Sequence, residues 1–166
     1  MRLIALTPLL ALAACSEGGE PTNKEAQAPA AKQLAAGQWE MTTEVVRVTQ
    51  RDNAPPAIKS PEGSRTSTSL CVAEADAKKP QPALFAAEAS TCTYRDIYMS
   101  GGRINATLAC ERPGLNGSIA TIVNGSYTAD AIEATAVTET SLIGEGDARI
   151  EAKLTGRRAG PCQAGA

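Results

Sequence analysis

Residues 147–156, DARIEAKLTG, alternate between polar and apolar side chains. A period of two places successive side chains on opposite faces of an extended chain, so this stretch predicts a β-strand with one buried face. The predicted buried set is Ala148, Ile150, Ala152 and Leu154, and the predicted solvent-facing set is Arg149, Glu151, Lys153 and Thr155.

Similar runs precede this strand and are separated by short turn signals. Residues 132–143 are rich in Thr and Val, and Gly144-Glu145-Gly146 joins them to the strand, which is typical of a hairpin. Residues 92–100 and 104–110 flank Gly101-Gly102 in the same way. Short connections favour antiparallel pairing, because parallel strands need long crossovers. The other predicted strands are 39–48, 65–72 and 118–127.

The fold class that follows is all-β, an antiparallel meander of about seven strands in a curved sheet or partial barrel. A sandwich of two sheets is the alternative. Helical signal is confined to an insertion, where residues 72–79 and 83–89 are each long enough for two turns on either side of Pro80-Gln81-Pro82. We expect one or two short helices there, lying over one opening of the sheet.

The start of the chain has the pattern of a bacterial lipoprotein signal. Arg2 is positively charged, and the apolar residues 3–12 are too few to span a bilayer. Leu12-Ala13-Ala14-Cys15 resembles the lipobox, in which the signal is cut before the Cys and its thiol receives a diacylglycerol. We expect residues 1–14 to be a signal peptide and Cys15 to be lipidated; an ordinary secretory signal is the alternative.

The predicted anchor also suggests where the protein is located. Ser16 follows the Cys where the inner-membrane retention rule would require Asp, so the resemblance favours the periplasmic face of the outer membrane. Residues 15–36 lack apolar periodicity and predict a lipidated Cys with a flexible tether. A single β domain over 37–162 and a short tail over 163–166 complete the predicted organisation.

The remaining cysteines predict a disulfide framework. Of five cysteines, assigning the first to lipid leaves an even number, and an oxidising periplasm would pair them. The preferred pairing joins Cys71 to Cys92, across the insertion, and Cys110 to Cys162, near the C-terminus. The alternative joins Cys92 to Cys110, which are equally spaced from the glycine turn of their hairpin, and Cys71 to Cys162.

Short motifs along the predicted domain resemble one protein family. GQWEMT at 37–42 opens it, Cys71 and Cys92 follow, GSYT at 125–128 lies in a late strand, and RRAGPC at 157–162 closes it. Together these are similar to domain-of-unknown-function family 3617, a family of small exported proteobacterial proteins, over residues 37–162. One departure is Ala36, where the family often has Pro. The resemblance implies export and frequent lipidation, and it supplies no catalytic residues.

Composition excludes several kinds of chemistry. The chain has no His, which excludes Ser-His-Asp and Cys-His catalysis and imidazole-ligated metal. A net charge of −2 argues against a nucleic-acid partner. With four cysteines paired, no thiolate metal site is left, and no phosphate-binding loop precedes a helix. We therefore expect no metal and no cofactor.

Aromatic side chains make up only 3% of the sequence, and they are the candidate ligand-lining residues. The single Trp alternates with Met41, and we expect it to be a core anchor rather than a ligand contact. Packing is also the simpler expectation for the tyrosines. Glu139 and Glu151 lie on adjacent predicted strands, but at outward positions where a solvated face, not an acid–base pair, is expected. The candidate ligand-lining residues are Trp39, Tyr94, Tyr98 and Tyr127.

These observations together predict a lipid-anchored envelope protein that is not an enzyme. Its expected role is a binding or interaction module for an envelope protein or a small apolar molecule. One alternative is an inhibitor of a wall hydrolase such as lysozyme, by analogy with other small disulfide-bonded β lipoproteins. The other is a hydrolase that works with carboxylates alone.

Overall fold

A computed structural model describes residues 33–87 and 89–162. In these ranges seven strands hydrogen-bond into one antiparallel sheet that curls into a half-barrel. The predicted all-β class and curved sheet are confirmed, and the two-sheet alternative is wrong because every strand belongs to the same sheet. The strands are β1 (Gly37–Gln50), β2 (Arg65–Val72), β3 (Thr91–Ser100), β4 (Arg103–Glu111), β5 (Gly117–Tyr127), β6 (Ala131–Leu142) and β7 (Ala148–Gly160).

The strand order is β2-β1-β7-β6-β5-β4-β3. Strands β3 to β7 form consecutive hairpins, and the β1–β2 hairpin is added beside β7, so the first and last parts of the domain pair with each other. In β7 the alternation in the sequence is reproduced: Ala148, Ile150, Ala152 and Leu154 are all buried. Their face is the concave face of the half-barrel, where the core lies.

The insertion between β2 and β3 connects the two opposite edges of the sheet. It therefore passes across the open side of the half-barrel, and it buries Leu84 and Phe85 against the core. Its helical content is limited to two single 3₁₀ turns, Glu74–Asp76 and Pro82–Leu84, shorter than the two-turn helices expected. Proline lacks the N–H that a longer helix needs, and two prolines stand between the predicted segments. No helix in the described ranges has the length and apolar character to cross a membrane.

The folded domain begins before residue 37, the predicted boundary. Leu34 is only 1% exposed, and its N–H donates to the carbonyl of Ala77 at 3.0 Å. The N–H of Ala35 donates to the carbonyl of Ala129 at 2.8 Å. Residues 34–36 thus belong to the domain and not to a tether. The predicted signal peptide, Cys15, the tether up to residue 32 and the tail over 163–166 lie outside the described residues.

The preferred disulfide pairing is wrong, and the alternative is the one observed. Cys92 and Cys110 are directly opposite in the β3–β4 register, with Cα atoms 4.1 Å apart. Cys71 and Cys162 have Cα atoms 5.4 Å apart. Cys71 pairs with Gln38 of β1, which also neighbours Gly160, two residues before Cys162. The pairing of β1 with β7 is what brings these two sulfurs together.

Removing one disulfide should lower the free energy of unfolding more than removing the other. The chain-entropy argument gives about 4.7 kcal/mol for a loop near 100 residues and about 3 kcal/mol for one near 15. The observed separations are 91 and 18 residues. We expect Cys71→Ala/Cys162→Ala to lower the free energy of unfolding more than Cys92→Ala/Cys110→Ala does, as measured by guanidinium titration. The reverse order, or a Cys71–Cys92 peptide in a non-reducing digest, would contradict this assignment.

Candidate functional site

The concave face of the half-barrel holds a partly open cavity of about 250 Å³. One wall is the sheet itself, and the opposite side is closed by Phe85 of the insertion and Ile58 of the β1–β2 loop, both buried. The enclosure therefore depends on the two longest connections in the fold. The aliphatic side chains from the strands that line it are Val45, Ile119, Ala136, Ile150, Ala152 and Leu154.

Small side chains explain why space is left inside. Ala136 and Ala152 face each other in the β6–β7 register, and Ala152 faces Val45 across the β7–β1 pair. All three side chains are buried on the concave face. The two facing alanines contribute only methyl groups at the centre of the sheet, so space remains inside the curled strands.

Threonine hydroxyls supply the polar part of the sheet wall. Thr121 is 3% exposed, and its Oγ1 lies 2.8 Å from the Oγ1 of Thr138 on β6. The same oxygen lies 4.0 Å from the Sγ of Cys110, so the β3–β4 disulfide borders the cavity. Thr43 and Thr66, opposite each other in the β1–β2 register, also line it. The wall is thus mostly aliphatic, with a few hydroxyls at defined positions.

Two cations line the cavity where its walls are formed by loops. Lys59 comes from the β1–β2 loop and is exposed, and Arg112 comes from the β4–β5 turn and is half-buried. Among the described residues, no carboxylate lines the cavity and neither cation forms an ion pair. The described lining at this end of the half-barrel thus carries two positive charges, one from each connection.

The four aromatic residues predicted as ligand-lining do not line this cavity. Trp39 is fully buried at the other end of the sheet, and its indole N–H donates to the carbonyl of Ala35 at 3.0 Å, so its expected role as a core anchor is confirmed. Tyr127 is buried, whereas Tyr98 is 56% exposed. The Tyr94 hydroxyl donates to the carbonyl of Pro80 at 2.9 Å, and burial raises the pKa of this phenol.

Sequence reasoning missed the residues that do line the cavity. The available signal was the occupancy of inward strand positions by Ala and Thr, at Ala136, Thr138 and Ala152, where a filled core would have larger aliphatic groups. Aromatic residues were singled out instead because they are common in binding sites. In this fold the Trp is needed to fill the end of the half-barrel that lacks the cavity.

Arg149 lies between Glu139 and Glu151, the two carboxylates considered above as an acid–base pair. Its guanidinium forms ion pairs with both Glu139 and Glu151 on the solvated side of the sheet. These bonds raise the pKa of Arg149, the bond to Glu151 having the larger effect. Both carboxylates are thus part of a surface ion-pair network on the face of the sheet opposite the cavity. In the described part of the chain, no three Cys, Asp or Glu side chains are grouped as metal ligands.

Comparison with known proteins identifies the family. The family described as "Protein of unknown function (DUF3617)" matches residues 34–162. The chain belongs to this family. No curated protein and no solved structure shows a significant match. The family match starts at Leu34, the residue at which the N-terminal segment begins to pack on the sheet.

The buried threonine pair can be tested by a mutant cycle. Thr138→Val removes the partner of the buried Thr121 hydroxyl, and an unsatisfied buried hydroxyl costs about 1–3 kcal/mol. We expect that loss in the free energy of unfolding from guanidinium titration. Thr121→Val/Thr138→Val should lose less than Thr138→Val alone, because it leaves no unpaired hydroxyl. Thr93→Val, at an exposed position of β3, is the matched control. A double mutant that loses as much stability as Thr121→Val and Thr138→Val lose in sum would contradict the pairing.

Proposed function

We propose that this protein is a non-catalytic binding module that holds a small, largely apolar molecule in the half-barrel cavity. The observation that carries the proposal is the cavity of about 250 Å³ on the concave face. Sites for small molecules are typically concave, mostly apolar and furnished with a few placed polar groups. Aliphatic side chains and the Thr121–Thr138 pair supply that combination here.

The volume limits the size of the ligand. An apolar protein cavity of about 150 Å³ holds benzene, which has six non-hydrogen atoms, so the space here corresponds to about ten such atoms. That is below the range of about 300–1,000 Å³ typical of pockets for drug-sized molecules. The proposed ligand is therefore a small molecule and not a whole membrane lipid.

The sheet wall of the cavity is a rigid part of the fold, which favours binding. Its sheet wall comes from strands in a continuous hydrogen-bonded ladder, and the Cys92–Cys110 disulfide ties the edge strand β3 beside it. A preformed site loses little conformational entropy when a ligand binds. Affinity would then come mainly from removing apolar ligand surface from water, at about 25 cal/mol per Å².

We also propose that the protein is a lipoprotein anchored through Cys15 at the periplasmic face of the outer membrane. The lipobox-like signal supports this proposal, and the direction of the fold indicates how an anchored domain would be oriented. Leu34 enters the domain beside Ala77 and Ala129, at the end of the half-barrel that contains the β5–β6 turn. Lys59 and Arg112 belong to connections at the opposite end. An anchored domain would thus present the charged end of its cavity away from its tether.

Octan-1-ol, with nine non-hydrogen atoms and no charge, is a suitable first probe. We expect it to shift the methyl resonances of Val45, Ile150 and Leu154 in a heteronuclear NMR titration, and to leave that of Ile122 on the convex face unchanged. Ala136→Leu should lower the affinity at least about tenfold, because the added carbons occupy the cavity.

Ala120→Leu is the matched control, since it makes the same change at an outward position of β5 and should bind octan-1-ol as the wild type does. Thermal unfolding of both variants checks that each is folded. Unchanged cavity methyl resonances in the wild type at millimolar octan-1-ol would refute the binding proposal.

Cys15→Ser tests the anchor separately from the cavity. Two acyl anchoring signals make membrane binding stable, whereas their loss leaves no comparable attachment. We expect the wild type to sediment with outer membranes and the variant to appear as uncleaved or soluble protein in cell fractionation. Intact mass spectrometry of the wild type should show a diacylglyceryl adduct on the first residue after cleavage, and an unmodified thiol there would contradict the proposal.

A further inference from the structure

We propose that the ligand is a short anionic amphiphile, whose acidic head binds between Lys59 and Arg112 while its chain fills the aliphatic part of the cavity. This inference rests on the proposed binding function and specifies the class of molecule. It follows from the distribution of charge and polarity along the cavity walls.

The two cations approach the cavity from separate parts of the chain. Lys59 lies in the connection after β1, and Arg112 directly follows the end of β4. Two serine hydroxyls on the β1–β2 loop and one at the end of the insertion also line the cavity, so its loop walls carry both hydrogen-bond donors and positive charge. The serines that line the cavity are Ser60, Ser64 and Ser90.

The sheet wall is different in chemistry. Apart from the threonine hydroxyls and the sulfur of Cys110, it presents only aliphatic groups, among them Ile150 and Leu154. The cavity is therefore polar and positive at its loops and apolar along its strands. A molecule complementary to both parts has an acidic head and a hydrocarbon or ring body.

Charge pairing favours an anion over a neutral or cationic head. Arg112 is half-buried and lines the cavity, and the ion pairs of the described residues do not include it, so its guanidinium is available to an acidic ligand head. A carboxylate accepts hydrogen bonds from an arginine in a bidentate arrangement and is also attracted by the lysine. An ammonium head would meet two like charges at the same place.

Octanoate is the probe that fits the size and the charge, because it has ten non-hydrogen atoms and is ionised at pH 7. The comparison is with octan-1-ol and octylammonium, which share its chain and differ in the head. By isothermal titration calorimetry at low salt, we expect octanoate to bind about tenfold more tightly than octan-1-ol, and octylammonium more weakly than both.

Charge-removal variants locate the head. Arg112→Gln and Lys59→Gln should each lower octanoate affinity about fivefold and leave octan-1-ol affinity unchanged, since an ionic hydrogen bond at a partly exposed site contributes a modest factor. Lys153→Gln, which removes an exposed cation from β7 on the other face of the sheet, is the matched control and should change neither affinity. The octanoate advantage should also decrease with added salt.

The length of the chain is tested with hexanoate, octanoate and dodecanoate. We expect affinity to rise from hexanoate to octanoate and then level off, because the cavity holds about ten non-hydrogen atoms. A further large gain with dodecanoate would overturn the short-chain assignment.

The outcomes separate this inference from the proposed function. If octan-1-ol binds as tightly as octanoate, or if Arg112→Gln lowers the affinity for both probes equally, the anionic-head assignment is overturned. The cavity would then still be a binding site. If neither probe binds the wild type, the proposed function itself is refuted.

Discussion

The constraint on which this structure depends is that its sheet is open and has two edges. An edge strand has a ladder on one side only and is the part of a sheet most easily frayed or misaligned. In this protein both edge strands are held covalently: Cys71 of β2 is bonded to Cys162, beyond β7, and Cys92 of β3 is bonded to Cys110 of β4. The half-barrel can therefore stay open without losing its outermost strands.

The same two bonds define the ends of the insertion. Cys71 lies just before it and Cys92 just after it, and each is attached to a different neighbour in the sheet. The insertion is thus fixed at both ends while it crosses the open side and places Phe85 over the concave face. A bridge between Cys71 and Cys92 would instead have closed the insertion into a loop. It would have left β2 and β3 without a covalent link to other parts of the sheet.

Core composition divides the half-barrel into a filled end and a hollow one. Trp39, Tyr127 and Ile132 fill the end at which the chain enters, and they are among the most buried side chains of the domain. Towards the other end, several inward positions are occupied by alanine and threonine, and the space that remains is bordered by loops. A protein with so few aromatic residues has enough large side chains to fill only part of a curved sheet, and the cavity occupies the rest.

Local patterning by itself determined the strands and the fold class. The alternation at 148–155 predicted which side chains of β7 are buried. Gly101-Gly102 and Gly144-Glu145-Gly146 located two of the hairpin turns. Both signals are properties of a chain over a few residues. The identity of Trp39 as a core residue was also available from its alternation with Met41. Family membership was recognisable from the order of short motifs for the same reason.

Only the tertiary structure decided the disulfide pairing, the packing of Leu34 and the position of the cavity. Each depends on which distant segments become neighbours: β1 beside β7 brings Cys162 to Cys71, and the β5–β6 turn receives residues 34–36. The cavity needs Ala136 and Ala152 to face one another under Phe85, residues that are far apart along the chain. Alternation specifies a face for each strand, but the curvature of the sheet and the path of the insertion determine what that face encloses.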